Sequence, residues 1–232
     1  MYTELADFLK GQGRNIEAEE FYRKAIDIST NYNEHRKLAK FFIEIGQTNE
    51  AEGIYRKVIE LEPTNNYAYI DLAEIFIKTK KYKEAEECYI KSLEIDPTNE
   101  YTYIYIAELY DMMGDTKQAE LYYRKVIDLF PTFKRAYSDF GTILEEQGRN
   151  SEAEKYYRNA IKIDPIYLYP HISLVDLLEK LGRKKEAEKL IRKGMKFELK
   201  KTFVYRKIIR ILRSFGKELE AEKYIKKEKS LN

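Results

Sequence analysis

The side chains able to do acid–base, metal or nucleophilic chemistry are few and scattered in this sequence. Its two histidines, His35 and His171, lie far apart, and the one cysteine, Cys88, has no second thiol to share a disulfide or a metal. Carboxylate pairs such as Glu86–Glu87 and Glu145–Glu146 are frequent, but they sit among other charges, where nothing isolates a group and tunes its pKa. No phosphate-cradling glycine loop, dinucleotide fingerprint or nucleophile elbow is present. These observations lead us to expect no catalytic residue, no metal and no cofactor, and to read Cys88 and both histidines as packing residues.

Chemistry of a different kind is suggested by "YTYIY" at 101–105. Tyr101 and Tyr105 are four apart and share one face of a helix, while Tyr103 falls off that face. Tyrosine offers contact area with a polar end at low rotamer cost, which suits a binding surface.

The elements that would position these residues repeat. Alanine recurs at 18, 51, 85, 119, 153, 187 and 221, first at an interval of 33 and then of 34. Proline falls at 63, 97, 131 and 165, and glycine at 13, 46, 114, 148, 182 and 216, with Lys80 filling the gap. Three residue types keep one register, so the chain is an array of a single unit. Each unit reads as two helices. In the third, Tyr69, Leu72, Ala73 and Phe76 form an apolar stripe at helical spacing, and Ala85, Tyr89 and Ser92 form the stripe of the second helix. The glycine ends the first helix, the proline stops the second, and Asn65 and Asn99 are placed to cap the next. Small residues at Ala6, Ala39, Ala73, Ala107 and Gly141 are expected to let the first helix approach the alanine of the second.

This pattern resembles the tetratricopeptide repeat, in seven units over 1–31, 32–65, 66–99, 100–133, 134–167, 168–201 and 202–232. The resemblance implies an all-α, right-handed solenoid forming a single array over 1–232, with a concave groove lined by the first helices. It weakens in the last two units, where Val175 and Ile209 replace the small residue, Ile191 and Ile225 replace the tyrosine, and the closing proline is missing. A different packing angle is expected there. One step around from the packing stripe, the resemblance assigns Tyr67, Ile70, Asp71 and Glu74 to the groove, then Tyr101, Ile104, Tyr105, Glu108 and Asp111, then Arg135 and Asp139. Such a groove implies a protein-interaction scaffold that takes a cationic, partly apolar segment. The family's carboxylate clamp is poorly matched. Arg36 and Lys40 imitate its first pair, but Asp71 stands where asparagine is required, and Tyr101 and Tyr105 replace its lysine and arginine.

Charge is unevenly distributed. From Lys180 onward there are 19 basic and 7 acidic residues, against 23 and 33 before it, within a net charge of +2. Nucleic-acid binding through the basic C-terminal quarter is therefore an alternative, although an acidic middle groove opposes it. A substrate-presenting part of a larger enzyme is another. No leader peptide or membrane span is legible, so a cytoplasmic protein without membrane contact is expected. The N-terminal end, with Leu5, Phe8 and Leu9, is the expected site of any weak self-association.

Overall fold

The computed structural model describes residues 1–29, 31–196 and 202–229, with side chains left undescribed at 194–196 and 202–204. The expected junction between the sixth and seventh units, at 201 and 202, thus falls partly outside the described residues. The described elements are fourteen helices: α1 Tyr2–Gly11, α2 Asn15–Ile28, α3 Tyr32–Glu44, α4 Thr48–Leu61, α5 Asn66–Lys78, α6 Tyr82–Ile95, α7 Glu100–Met112, α8 Thr116–Leu129, α9 Lys134–Glu146, α10 Asn150–Ile163, α11 Leu168–Lys180, α12 Lys184–Lys196, α13 Thr202–Ser214 and α14 Glu218–Lys229. They fall into two compact units, Met1–Tyr122 and Tyr123–Asn232. In the first, α1–α2, α3–α4 and α5–α6 pack as hairpins, joined through α2–α3, α4–α5 and α6–α7. In the second, the hairpins are α9–α10, α11–α12 and α13–α14, joined through α10–α11 and α12–α13. The architecture is that of an α-solenoid, in which each hairpin covers an apolar face that its neighbour leaves open.

Local chemistry explains the boundaries. The side-chain oxygens of Asn31, Asn65 and Asn99 accept backbone N–H groups in the first turns of α3, α5 and α7. The second helices α2, α4, α6 and α10 lack such a cap but carry a carboxylate in the first turn, at Glu17, Glu50, Glu84 and Glu152, where it meets the positive end of the helix dipole, whereas Asp115 caps α8 by accepting the Gln118 N–H. Each turn between paired helices passes through a left-handed residue. In the third hairpin that residue is Lys80, at φ 60°. Its N–H bonds Ile77 O, and the N–H of Lys81 bonds Phe76 O, closing the same turn that glycine forms elsewhere. Left-handed backbone costs a residue with a Cβ about 1–2 kcal/mol, partly offset by the greater freedom glycine has in the unfolded chain. Lys80→Gly is expected to raise the unfolding free energy by about 0.5–1 kcal/mol in urea titration.

The five tyrosines four residues after the repeat alanine, Tyr22, Tyr55, Tyr89, Tyr123 and Tyr157, are all buried, as are all seven alanines. Close approach at the small position differs in detail from the sequence expectation. A Cβ on Gly141 would meet the Tyr157 ring at 2.6 Å, so the nearest neighbour there is the tyrosine and not Ala153. At the N-terminal end Leu5 and Phe8 are exposed, but Leu9 is buried in the core and offers no surface for self-association.

Candidate functional site

In the first unit, the faces of α3, α5 and α7 outside the packing stripe converge on a buried carboxylate. Asp71 is 4% exposed. It accepts two hydrogen bonds from Arg36, from Nε at 2.6 Å and from Nη2 at 3.3 Å, and another from the Tyr32 hydroxyl. Burial, and then the Asp71 charge, raise the pKa of Tyr32 and of Tyr55 well above the ordinary phenol range, so both stay neutral donors. The paired geometry resolves what sequence alone could not: Asp71 is a satisfied structural anion beneath the surface.

Around it lies a depression of about 540 Å³, lined by Tyr67, Ile70, Glu74, Tyr101 and Tyr105 together with Arg36 and Asp71. The turn before α7 and the first residue of that helix close one side with Asp96, Thr98, Asn99 and Glu100. Tyr67 and Tyr101 are 58% and 44% exposed, so aromatic area is on offer. The lining holds one cation, Arg36, already committed to Asp71, against the carboxylates of Asp71, Glu74, Asp96 and Glu100. Glu74 is exposed as a residue, yet its carboxyl end is crowded. Desolvation, and then Asp71, raise its pKa, against the pull of Lys40, Arg36 and Lys78.

Six of the residues expected in the groove thus meet in one place: Tyr67, Ile70, Asp71, Glu74, Tyr101 and Tyr105. Ile104 does not. It is 0% exposed, because its position on α7 turns into the packing layer, and its assignment to the groove surface is corrected. Glu108 and Asp111 are half-buried further along α7 and do not line the depression. In the second unit, Arg135 and Asp139 bond each other across one turn of α9 at 2.9 Å. Asp96 and Thr98, in the turn, escaped the sequence reading because a loop has no periodicity, as did Glu100 at the first position of α7; the available signal was that Asn99 caps the helix bearing Tyr101.

The basic C-terminal quarter is less basic than its composition. Arg206, Arg210 and Arg213 line one depression with Ile209, Ile225 and Glu228. Each has a carboxylate partner: Arg206 with Glu228 at 2.8 Å, Arg210 with Asp176 at 3.1 Å, and Arg213 with Glu218 at 3.4 Å. Among the described residues no cluster of three potential metal ligands occurs, and no helix is long and apolar enough to cross a membrane.

Sequence profiles described as tetratricopeptide repeat match residues 65–132, 106–166 and 144–200, and a fourth matches 1–32 and 37–65. The chain belongs to the tetratricopeptide repeat family. Solved structures of similar fold include yeast Tom70, at 21% identity and a TM-score of 0.78. That match covers 100% of this chain and 51% of Tom70, so the chain spans about half the length of that relative. MamA is similar at 26% identity and a TM-score of 0.55, over 71% of this chain and 97% of its own. PilF of Pseudomonas aeruginosa is 19% identical with a TM-score of 0.62, over 92% and 93%. No curated protein sequence matches significantly.

Within this tetratricopeptide protein, the carboxylate clamp fails on geometry as well as on sequence, because the Arg36 guanidinium is held by Asp71. The histidines prove to be packing residues, each 4% exposed. His171 Nε2 lies 2.9 Å from the Pro165 carbonyl, which can only accept, so Nε2 carries the proton and Nδ1 is left without a partner. Tyr103 and Tyr137 make the same bond in their own repeats, to Pro97 O at 3.2 Å and Pro131 O at 3.0 Å. His171 therefore replaces a tyrosine as the donor that ties a first helix to the preceding proline turn. Burial lowers its pKa from the ordinary 6.5, outweighing the hydrogen bond to Pro165. A base whose folded pKa is depressed contributes stability above its unfolded pKa, and that contribution is lost as pH falls below about 6.5. His171→Tyr keeps the bond to Pro165 and is expected to flatten the stability profile between about pH 6.5 and 5, read from urea midpoints across that range.

Proposed function

We propose that the chain is a protein-interaction scaffold whose depression between α5 and α7 takes a segment carrying lysine or arginine beside apolar side chains. The observation that carries this reading is the imbalance in that lining. Exposed Tyr67 and Tyr101 rings stand beside Glu74, Asp96 and Glu100, while the one lining cation is spent on Asp71. A cation entering there gains carboxylates and aromatic faces at once. The family, whose repeats generally serve as non-enzymatic scaffolds, agrees with a binding role. Nucleic acid is disfavoured, since the acidic lining repels phosphate and the arginines of α13 are internally paired.

The test is fluorescence anisotropy with a labelled peptide alternating lysine and leucine, beside a glutamate–leucine counterpart. The lysine peptide is expected to bind wild type, and Tyr101→Ala/Glu100→Lys to weaken it by about tenfold or more. Equal affinity for wild type and variant would remove the site. Binding is also expected to weaken on acidification through the raised pKa of Glu74, because protonation removes a charge the ligand meets, and Glu74→Gln is expected to blunt that dependence.

A further inference from the structure

A second depression, of about 580 Å³, lies on the second helices α10 and α12 of the second unit. Its lining is regular. Arg158, Ile161, Lys162 and Pro165 follow a spacing of three, four and seven along α10 and its end, and Glu186, Lys189, Leu190 and Lys193 follow the same spacing on α12. Two matching helix faces therefore enclose an aliphatic floor of Ile161, Pro165 and Leu190 under a charged rim.

The charges on that rim do not cancel. Glu186 is bound by Arg183 at 2.7 Å, and Arg183 also holds Glu154. Arg158 bonds Glu154 at 2.7 Å and lies 3.7 Å from Glu186. Two carboxylates and two guanidiniums thus satisfy one another. Lys162, Lys189 and Lys193 remain exposed, with no ion pair among the described residues. They are cations of the rim without an ion pair, in contrast with the paired arginines of α13.

The fold does not require those lysines. The corresponding depression three repeats earlier, in the first unit, is lined on α4 and α6 by Arg56, Ile59, Glu60, Glu84, Glu87 and Cys88, together with Tyr69, Leu72 and Phe76 of α5. Arg56, Ile59 and Glu84 match Arg158, Ile161 and Glu186, but Glu60 and Glu87 stand where the second unit has Lys162 and Lys189, and Cys88 stands where it has Leu190. The same arrangement of second helices occurs with acidic residues at two rim positions, so the cations at Lys162 and Lys189 are a property of the surface and not of the packing.

We propose that the depression between α10 and α12 is a docking surface for an acidic, partly apolar segment of a partner protein. Charge complementarity sets the sign, and the aliphatic floor asks for a leucine-like side chain between the partner's carboxylates. A nucleic-acid strand fits less well. No aromatic ring lines the depression for a base to stack on, and Glu186 sits in the path of a phosphate backbone. The scaffold then carries two docking surfaces of opposite sign, able to hold two different segments together.

The experiment is anisotropy on the full chain with a labelled peptide of repeating Glu-Asp-Leu at near-physiological salt. Wild type is expected to bind it, and Lys162→Glu/Lys189→Glu, which installs the residues of the first unit, to weaken binding by about tenfold or more. Lys184→Glu/Lys185→Glu makes the same charge change on α12 outside the lining and is expected to stay within about twofold. Circular dichroism checks that both variants remain folded. An equal loss in both variants, an unchanged affinity when the peptide's leucines become serine, no binding at all, or tighter binding of oligouridylate through the same lysines would each overturn the proposal. Tyr101→Ala/Glu100→Lys is expected to leave this binding intact, so the two surfaces stand or fall separately.

Discussion

Arg36→Met is expected to lower the unfolding free energy by about 2–3 kcal/mol, below the usual cost of breaking a buried pair because Arg36 is itself 42% exposed. The variant keeps the aliphatic stem but withdraws two hydrogen bonds and a charge from Asp71, which is 4% exposed. Only the Tyr32 hydroxyl remains to it among the bonds described above, together with its contact to Tyr55. A carboxylate left so is worse than no carboxylate, because it cannot return to water without opening the hairpin. The double variant Arg36→Met/Asp71→Asn is therefore expected to recover much of the loss, since an amide keeps the shape and an acceptor for Tyr32 without the charge. Urea unfolding of the four proteins in the cycle checks this, and a double variant as unstable as the sum of the singles would show that Arg36 acts through packing alone.

Tyr157→Ala is expected to cost about 3–5 kcal/mol, the range for removing a buried aromatic side chain. The ring is buried against Gly141, and its hydroxyl bonds Glu145 at 3.1 Å and Thr142 at 3.3 Å, so one deletion opens a cavity and breaks two polar contacts. Gly141→Ala presses the same contact from the other side. Its Cβ would lie 2.6 Å from the ring of Tyr157, which is 1% exposed, at an expected cost of about 1–3 kcal/mol. Combined, the two changes should be clearly less than additive, because the added methyl enters the space the ring has left. Thermal or urea melts of the two singles and the double decide it. Strict additivity would mean that Gly141 is set by something other than the ring.

The repeat register, the hairpins and their ends were legible in the sequence because each depends on local chemistry. An asparagine caps the helix that follows it, a proline stops the helix before it, and a left-handed turn takes glycine or, at Lys80, accepts strain. The buried tyrosines and alanines followed from helical periodicity for the same reason. Tyr67, Ile70, Glu74, Tyr101 and Tyr105, which the family resemblance placed on one face, do line one depression.

What sequence could not supply was the state of each charge. Asp71 and Glu74 lie three apart on one helix, yet one is a neutralised pillar under the surface and the other is a crowded carboxyl at the rim. The difference comes from Arg36, a full repeat away in the chain. Likewise the arginines of α13 are basic by composition and paired in space, whereas Lys162, Lys189 and Lys193 became a cationic rim only when α10 and α12 were set side by side. Sequence determined the array and its faces, because backbone hydrogen bonds and apolar periodicity act over a few residues. Tertiary structure alone decided which charges remain unspent, because an ion pair depends on distances that a one-dimensional spacing does not contain.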